Sequence, residues 1–179
     1  MRGTLGGDKV NYDRETLSTV ADPVTINIHQ QSVLADRKQG LDARYVTADC
    51  SDYYLGCKLE RPEYVRIPTK NFHPSTILKY DLQKYIVNGF ILFEVNGSMY
   101  GHPAAGRIAQ KELIALLTKN GYYEHKDVPC LFLHKTRPIS FTLVVDDLGI
   151  KTYNNDDINH LLSTIREKWK VKVDLTGAK

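Results

Sequence analysis

The segment FTLVVDDLGIKTY, residues 141–153, sets two β-rich runs on either side of a tight acidic connection. Residues 139–145 and 150–153 have the β-branched and aromatic content of strands. Asp146-Asp147-Leu148-Gly149 between them has the chemistry of a turn, so the segment predicts a β-hairpin. Downstream, Leu161, Leu162, Ile165 and Trp169 fall at helical spacing and predict a helix over 155–169, followed by a strand over 171–175. Upstream lie a strand over 130–134 and the clearest helix of the chain, 103–120. That helix carries Ile108, Leu113, Leu116 and Leu117 on one side and stops at Asn120-Gly121, a pair that tolerates the left-handed conformation found after helix ends.

Further upstream the pattern continues with strands over 90–95 and 63–67, a short helix over 74–80, and the strand RYVTADC from Ala43, which reverses through Gly56. Asp22-Pro23 reads as an N-cap followed by proline at the first helical position. It opens a helix to about Asp36 that Gly40 closes, although the apolar pattern of this helix is weak. From Ala43 onward the order approximates β-α-β-β-α-β. This is the split, ferredoxin-like α+β arrangement, in which an antiparallel sheet carries helices on one face and leaves the other free for a ligand.

Composition is compatible with one globular unit: 179 residues, 24 Lys+Arg against 21 Asp+Glu, 42% hydrophobic residues and a mean hydropathy of −0.36. The longest apolar runs fall far short of the ~18 residues of a membrane span, and the N-terminus lacks the apolar centre of a signal peptide. No membrane partner and an intracellular location, in cytoplasm or nucleus, are therefore expected. Three cysteines, Cys50, Cys57 and Cys130, fit neither a disulfide framework nor a zinc site and point to a reducing compartment. The formal charge of +3 permits a polyanionic partner without requiring one.

Three carboxylates stand out by position. Asp49 ends a predicted strand, and Asp146 and Asp147 occupy the hairpin turn far along the chain. If the two strands lie side by side, these groups converge, and clustered carboxylates repel one another unless a cation sits between them. Hard oxygen ligands suit Mg²⁺, which completes its shell with water and substrate phosphates and serves phosphoryl transfer. Turn residues and a cap are the plainer reading of the same three aspartates.

The sequence as a whole resembles a known family. FTLVVDDLG resembles the motif C hairpin of reverse transcriptases, and TADCSDYYLG resembles motif A, which brings the first catalytic aspartate. EVNGSMYGHPAAGRIAQKEL is similar to the motif B segment of copia-like LTR retrotransposon polymerases, RGTLGGD to the end of a fingers strand, and residues 155–169 with VKVDLTG to motif D. The resemblance implies a polymerase palm over 43–179, a partial fingers segment over 1–42, and absence of thumb and RNase H. It implies template-directed nucleotidyl transfer, with an RNA or DNA template-primer and a dNTP as partners and Mg²⁺ or Mn²⁺ as cofactor.

Carried onto this chain, the resemblance makes Asp49, Asp146 and Asp147 the catalytic and metal-binding residues, with the carbonyl of Cys50 as a further ligand. Tyr54 takes the place of the ring that excludes a 2′-hydroxyl. Backbone N–H groups of Ser51, Asp52 and Tyr53 would hold phosphates, Arg2 would be a phosphate-binding cation, Gly101 would lie against template and nucleotide, and Val145 would touch the primer end. Ala104 stands where relatives commonly have Gln, and the alternative implied is an inactive or domesticated fragment that acts at most as a nucleic-acid-binding module.

The remaining residues are weighed individually. His102 reads as a solvated loop histidine, and Cys50 and Cys57 as small buried residues. Tyr53, Tyr54 and Tyr100 are placed to stack on bases or sugars, while Tyr12, Tyr45, Tyr64, Tyr80 and Tyr85 are expected half-buried. Lys168, Lys170 and Lys172 read as the solvated side of an edge strand.

Overall fold

A computed structural model describes residues 18–174. Arg2, Tyr12 and the RGTLGGD stretch lie outside the described residues. The elements run α1 (Pro23–Lys38), β1 (Arg44–Ser51), β2 (Lys58–Pro68), α2 (Pro74–Lys79), β3 (Ile86–Val87), β4 (Phe90–Gly97), α3 (Ala105–Lys119), β5 (Tyr122–Glu124), β6 (Leu131–His134), β7 (Ser140–Val144), β8 (Asp147–Thr152), α4 (Asn155–Arg166) and β9 (Lys170–Asp174).

The class is α+β, with two antiparallel sheets. The larger has the order β5-β6-β7-β8-β1-β9, and the smaller, inserted between β1 and α3, has the order β2-β4-β3. Strand periodicity dictates the core. Val46, Ala48 and Cys50 on β1, Phe141 and Leu143 on β7, and Leu148 and Ile150 on β8 all fall on one face. They meet Ile108, Leu113 and Leu117 of α3 and Ile158, Leu161, Leu162 and Ile165 of α4, which form the apolar stripes legible in the sequence.

The helix starts follow local chemistry. Asp22 caps α1, its Oδ1 accepting from the N–H groups of Val24 and Thr25 at 2.9 and 3.0 Å. Asn154 caps α4 through the N–H of Asp157 at 2.8 Å, and Asp157 is in turn held by Arg137 at 2.8 Å.

Four features differ from the sequence-based expectation. The hairpin turn is Val145-Asp146, because Val144 pairs with Asp147 and β8 therefore begins at Asp147. Leu148 alternates into the core, and Gly149 is strand rather than turn because it pairs with Thr142 and Thr47; its missing side chain makes room for the Tyr45 side chain that crosses it. A Cβ on Gly149 would lie 1.9 Å from the Tyr45 hydroxyl oxygen. Second, the sheet does not carry helices on one face alone. On the face away from α3 and α4, α1 docks on the side chains of Tyr45, Ser140 and Lys151.

This docking is largely polar, which is why α1 shows a weak apolar pattern. Lys151 Nζ sits 2.6 Å from Asp36, the Tyr153 hydroxyl donates to Asp36 at 2.6 Å, and His29 Nε2 lies 2.9 Å from the Ser140 hydroxyl. Third, the strands expected over 63–67 and 90–95 leave the main sheet and pair with one another, with β3 beside them. Fourth, Tyr64, Tyr80 and Tyr85, expected half-buried, are exposed on or beside this small sheet. Lys79 and Lys84 ride over the rings of Tyr80 and Tyr85.

All three cysteines are free and buried. No helix among the described residues is long and apolar enough to cross a membrane.

Two outcomes test this packing. Gly149→Ala is expected to destabilise by about 1–3 kcal/mol, the usual cost of overpacking a filled site, as read by urea unfolding. Burial, reinforced by Lys151, pushes His29 down to about 4 from its ordinary 6.5. The unfolded chain thus takes up a proton that the folded chain refuses, so stability is expected to fall as pH drops from about 6.5 to about 4. His29→Gln is expected to flatten that slope in thermal melts.

Candidate active site at the β1–β8 strand ends

Alternation along β1 places Thr47, Asp49 and Ser51 on the face opposite the core, and alternation along β8 does the same for Asp147, Gly149 and Lys151. The register sets Asp49 directly across from Asp147 on one side and from Lys172 of β9 on the other. Asp146 is held in the turn beside them, its carbonyl accepting from the Cys50 N–H at 2.9 Å. Residues remote in sequence are therefore fixed by main-chain pairing at one end of adjacent strands. Asp49 also accepts a long hydrogen bond of 3.4 Å from the Ser51 hydroxyl.

An open groove of about 570 Å³ runs along this face, bordered by Ile26 of α1 and lined by Thr47, Asp49, Thr142, Asp147 and Lys172 among others. Asp147 is exposed at the start of β8, yet its partial desolvation, then the neighbouring Asp146 and Asp49, hold its carboxyl above the usual range. Burial, with the same three carboxylates behind it, pushes the Cys50 thiol up to about 12. Its sulfur is thus a neutral thiol in the core, leaving its main-chain carbonyl as the group with ligand chemistry.

The turn after β1 is closed by the N–H of Leu55 donating to Asp52 and that of Cys57 to Tyr54, both at 3.0 Å. Asp52 stands exposed with φ 57°. Tyr53 departs from the stacking role expected of its ring, which is buried at 1% exposure against Trp169, with centroids 5.4 Å apart. Trp169 Nε1 also donates to the Tyr53 carbonyl at 2.9 Å, so the end of α4 pins the turn from beneath.

Tyr54 stays half-buried beside the acidic cluster. Burial first, then the charge of Asp146 and the Tyr100 ring, raise its hydroxyl. Tyr100 comes from the loop before α3 and meets Tyr54 edge-on, with centroids 5.1 Å apart at 77°. Gly101, at φ 86°, occupies the glycine position of a turn closed by the His102 N–H donating to the Met99 carbonyl at 3.0 Å. Val145 turns partly into the core rather than wholly to the groove. Its φ of 58° is strained for a β-branched residue, a strain of about 1–3 kcal/mol of the kind that concentrates at functional sites.

Two contributions escaped the sequence reading. His102, whose loop position predicts a solvated side chain, is 9% exposed and donates from Nε2 to Glu63 at 3.0 Å. Lys172 faces the groove opposite Asp49. The Lys-Val-Lys-Val alternation placed the lysines on one face but carried no signal of which strand they would meet.

Among the described residues, no group of three or more His, Cys, Asp or Glu side chains is gathered as a complete metal shell. The carboxylates fit a less demanding arrangement. The one or two hard oxygen donors that the register brings to the strand ends could serve a divalent ion only if the rest of its shell came from water or a bound ligand.

No protein-family model, no curated protein and no solved structure matches this chain.

Because folding disfavours the charged form of Asp147, Asp147→Asn is expected to raise the melting temperature at pH 7. Near pH 3, where the carboxyl is neutral in both states, the two proteins are expected to melt together. Thermal unfolding at the two pH values, without divalent ions, checks this.

Proposed function

We propose that this chain forms the palm core of an RNA-directed DNA polymerase, catalysing template-directed nucleotidyl transfer to a primer 3′-hydroxyl. The observation that carries the reading is the register of β1 on β8, which sets Asp49 across from Asp147 and beside Asp146. The order β9-β1-β8-β7, with α3 and α4 covering one face, supports it further. That order is compatible with a split β-α-β-β-α-β unit, the arrangement a palm would need.

In this reading a 3′-hydroxyl attacks the α-phosphorus of a dNTP. A P–O bond forms to the primer, the α–β phosphoanhydride breaks, pyrophosphate leaves, and the hydroxyl proton passes to solvent. Asp49 and Asp146 would hold Mg²⁺ or Mn²⁺, with Asp147 completing the acidic cluster and the Cys50 carbonyl adjoining it. The ions would supply charge neutralisation at the attacking and leaving oxygens. Tyr54, half-buried beside Asp146, would pack on the sugar, and the N–H groups of Ser51, Asp52 and Tyr53 would meet the phosphates. The groove beside α1, with Lys172 in it, would take the primer-template backbone.

The second reading is a non-catalytic, nucleic-acid-binding descendant of such a polymerase. It is favoured by Ala104, which sits 6% exposed in the core where a Gln amide would be expected to face the nucleotide.

Calorimetry with Mg²⁺ or Mn²⁺ and a dNTP is expected to show metal-dependent binding to the wild-type protein and none to Asp49→Ala or Asp146→Ala. Primer extension on the same samples is expected to fall by at least about 100-fold in both variants, given the several kcal/mol that metal-held charge contributes to such transition states. Metal-dependent binding without extension would favour the second reading. A folded wild-type chain that binds neither metal nor dNTP would sink the polymerase assignment.

A further inference from the structure

We propose that His102 and Glu63 form a latch that holds Tyr100 against Tyr54, and that Tyr100 is thereby a second positioning residue for the sugar of the incoming nucleotide. The second half rests on the polymerase reading of Tyr54; the latch itself does not.

The geometry is specific. Residues 98–104 link the small sheet to α3, and the chain is secured at both ends of the Met99–His102 turn. At the first, the Ser98 N–H donates to the Cys57 carbonyl at 2.7 Å, beside the turn that carries Tyr54. At the second, His102 Nδ1 accepts from the Ala104 N–H at 3.2 Å, which leaves the proton on Nε2, and Nε2 donates to Glu63 at 3.0 Å. The His102 side chain is only 4% exposed and that of Glu63 20%, so the bond is shielded from competing water.

Glu63 is itself placed by a break in β2. Lys58 pairs with Gly97 and Glu63 with Val95, so the residues between bulge out and the strand resumes with Glu63 beneath the loop. Arg61 Nε lies 3.7 Å from the other carboxylate oxygen. Tyr100 and Gly101 are thus suspended between two fixed points, and the edge-on contact with Tyr54 follows from that suspension. Tyr100 is itself 59% exposed and meets Tyr54 edge-on, so the path of the loop sets where its ring stands. Tyr54 lies in the turn that follows Asp49 on β1, within the electrostatic reach of Asp146, so the ring pair stands near the acidic strand ends.

Three measurements test the proposal. Imidazole ¹⁵N spectra of the wild-type protein are expected to show His102 as the Nε2–H tautomer with a slowly exchanging proton; the Nδ1–H tautomer would overturn the latch. 3-Fluorotyrosine at position 100 is expected to give a ¹⁹F resonance displaced by the Tyr54 ring, with Tyr54→Leu setting the undisplaced value. Glu63→Leu and His102→Leu are expected to collapse that displacement. Glu63→Gln is expected to retain it, because the amide oxygen still accepts from Nε2–H. A displacement unchanged in folded Glu63→Leu would overturn the latch, and if that variant fails to fold, the wild-type tautomer decides.

For the sugar, the calorimetric preference for dATP over ATP is expected to fall roughly tenfold in Tyr100→Leu and Glu63→Leu and to persist in Tyr100→Phe, the scale of an aromatic contact. An unchanged preference in Tyr100→Leu would overturn the sugar role while the latch stands. A wild-type protein that binds no nucleotide would sink the polymerase reading and the sugar role together, with the ¹⁹F displacement still deciding the latch.

Discussion

The pairing of β1 with β8 governs everything built above it. In that antiparallel ladder Val46 faces Ile150 and Ala48 faces Leu148, two apolar pairs on the core side. A slip of one residue would turn Asp49 into the core and Ala48 to the groove, so burial of the alternate residues locks the register. The same lock sets Asp49 opposite Asp147. Carboxylates that repel one another are thus held in proximity by hydrophobic packing on the reverse of the strands that carry them, and desolvation first, then that repulsion, raises the Asp147 carboxyl.

Around this ladder the molecule fixes the turns rather than leaving them to local chemistry. Trp169, just beyond α4, reaches under the sheet end to the Tyr53 carbonyl, and the Tyr53 ring fills the space beside it. Gln110 of α3 makes a two-point contact with Thr19, accepting from its N–H at 3.0 Å and donating to its carbonyl at 2.9 Å, and the Ala21 N–H donates to Leu143 at 2.9 Å. The chain entering α1 is thereby tied to the helix and strand that border the acidic turn. On the opposite face, the Lys151–Asp36–Tyr153 and His29–Ser140 contacts place α1 along one side of the groove. They leave the Asp49 end of the groove open to a ligand.

The small β2-β4-β3 sheet has a double character. Inward, Glu63 reaches the loop before α3. Outward, it exposes Tyr64 and Leu92, and Arg66 stacks 3.7 Å over Phe90. An insertion between β1 and α3 is thereby coupled to the loop before α3 through the shielded His102–Glu63 hydrogen bond, beside the Ser98–Cys57 main-chain bond and the packing of Leu59 on the core. The aromatic pair Tyr54–Tyr100 accordingly depends on a segment that is separate from the main sheet.

Much of the fold was legible in the residues. The caps at Asp22 and Asn154, the apolar stripes of α3 and α4, and the two runs around Asp146-Asp147 act within a few residues of chain, where propensity and periodicity dominate. That Asp49, Asp146 and Asp147 would converge if their strands were neighbours was legible too, because polar residues at the ends of apolar strands stand out. Decisions that require distant partners were not legible. Gly149 read as a turn glycine because nothing local shows that Tyr45 crosses it, and His102 read as solvated because Glu63 lies across a bulge in another strand. Lys172 became a groove residue only through the register of β9 on β1. The sequence by itself determined where the longer strands and helices lie and that an acidic connection joins β7 to β8, since those follow from short-range sterics and the burial of alternate side chains. Only the tertiary structure decided which strands are neighbours, and so which charges meet, because pairing is settled by the packing of the whole core.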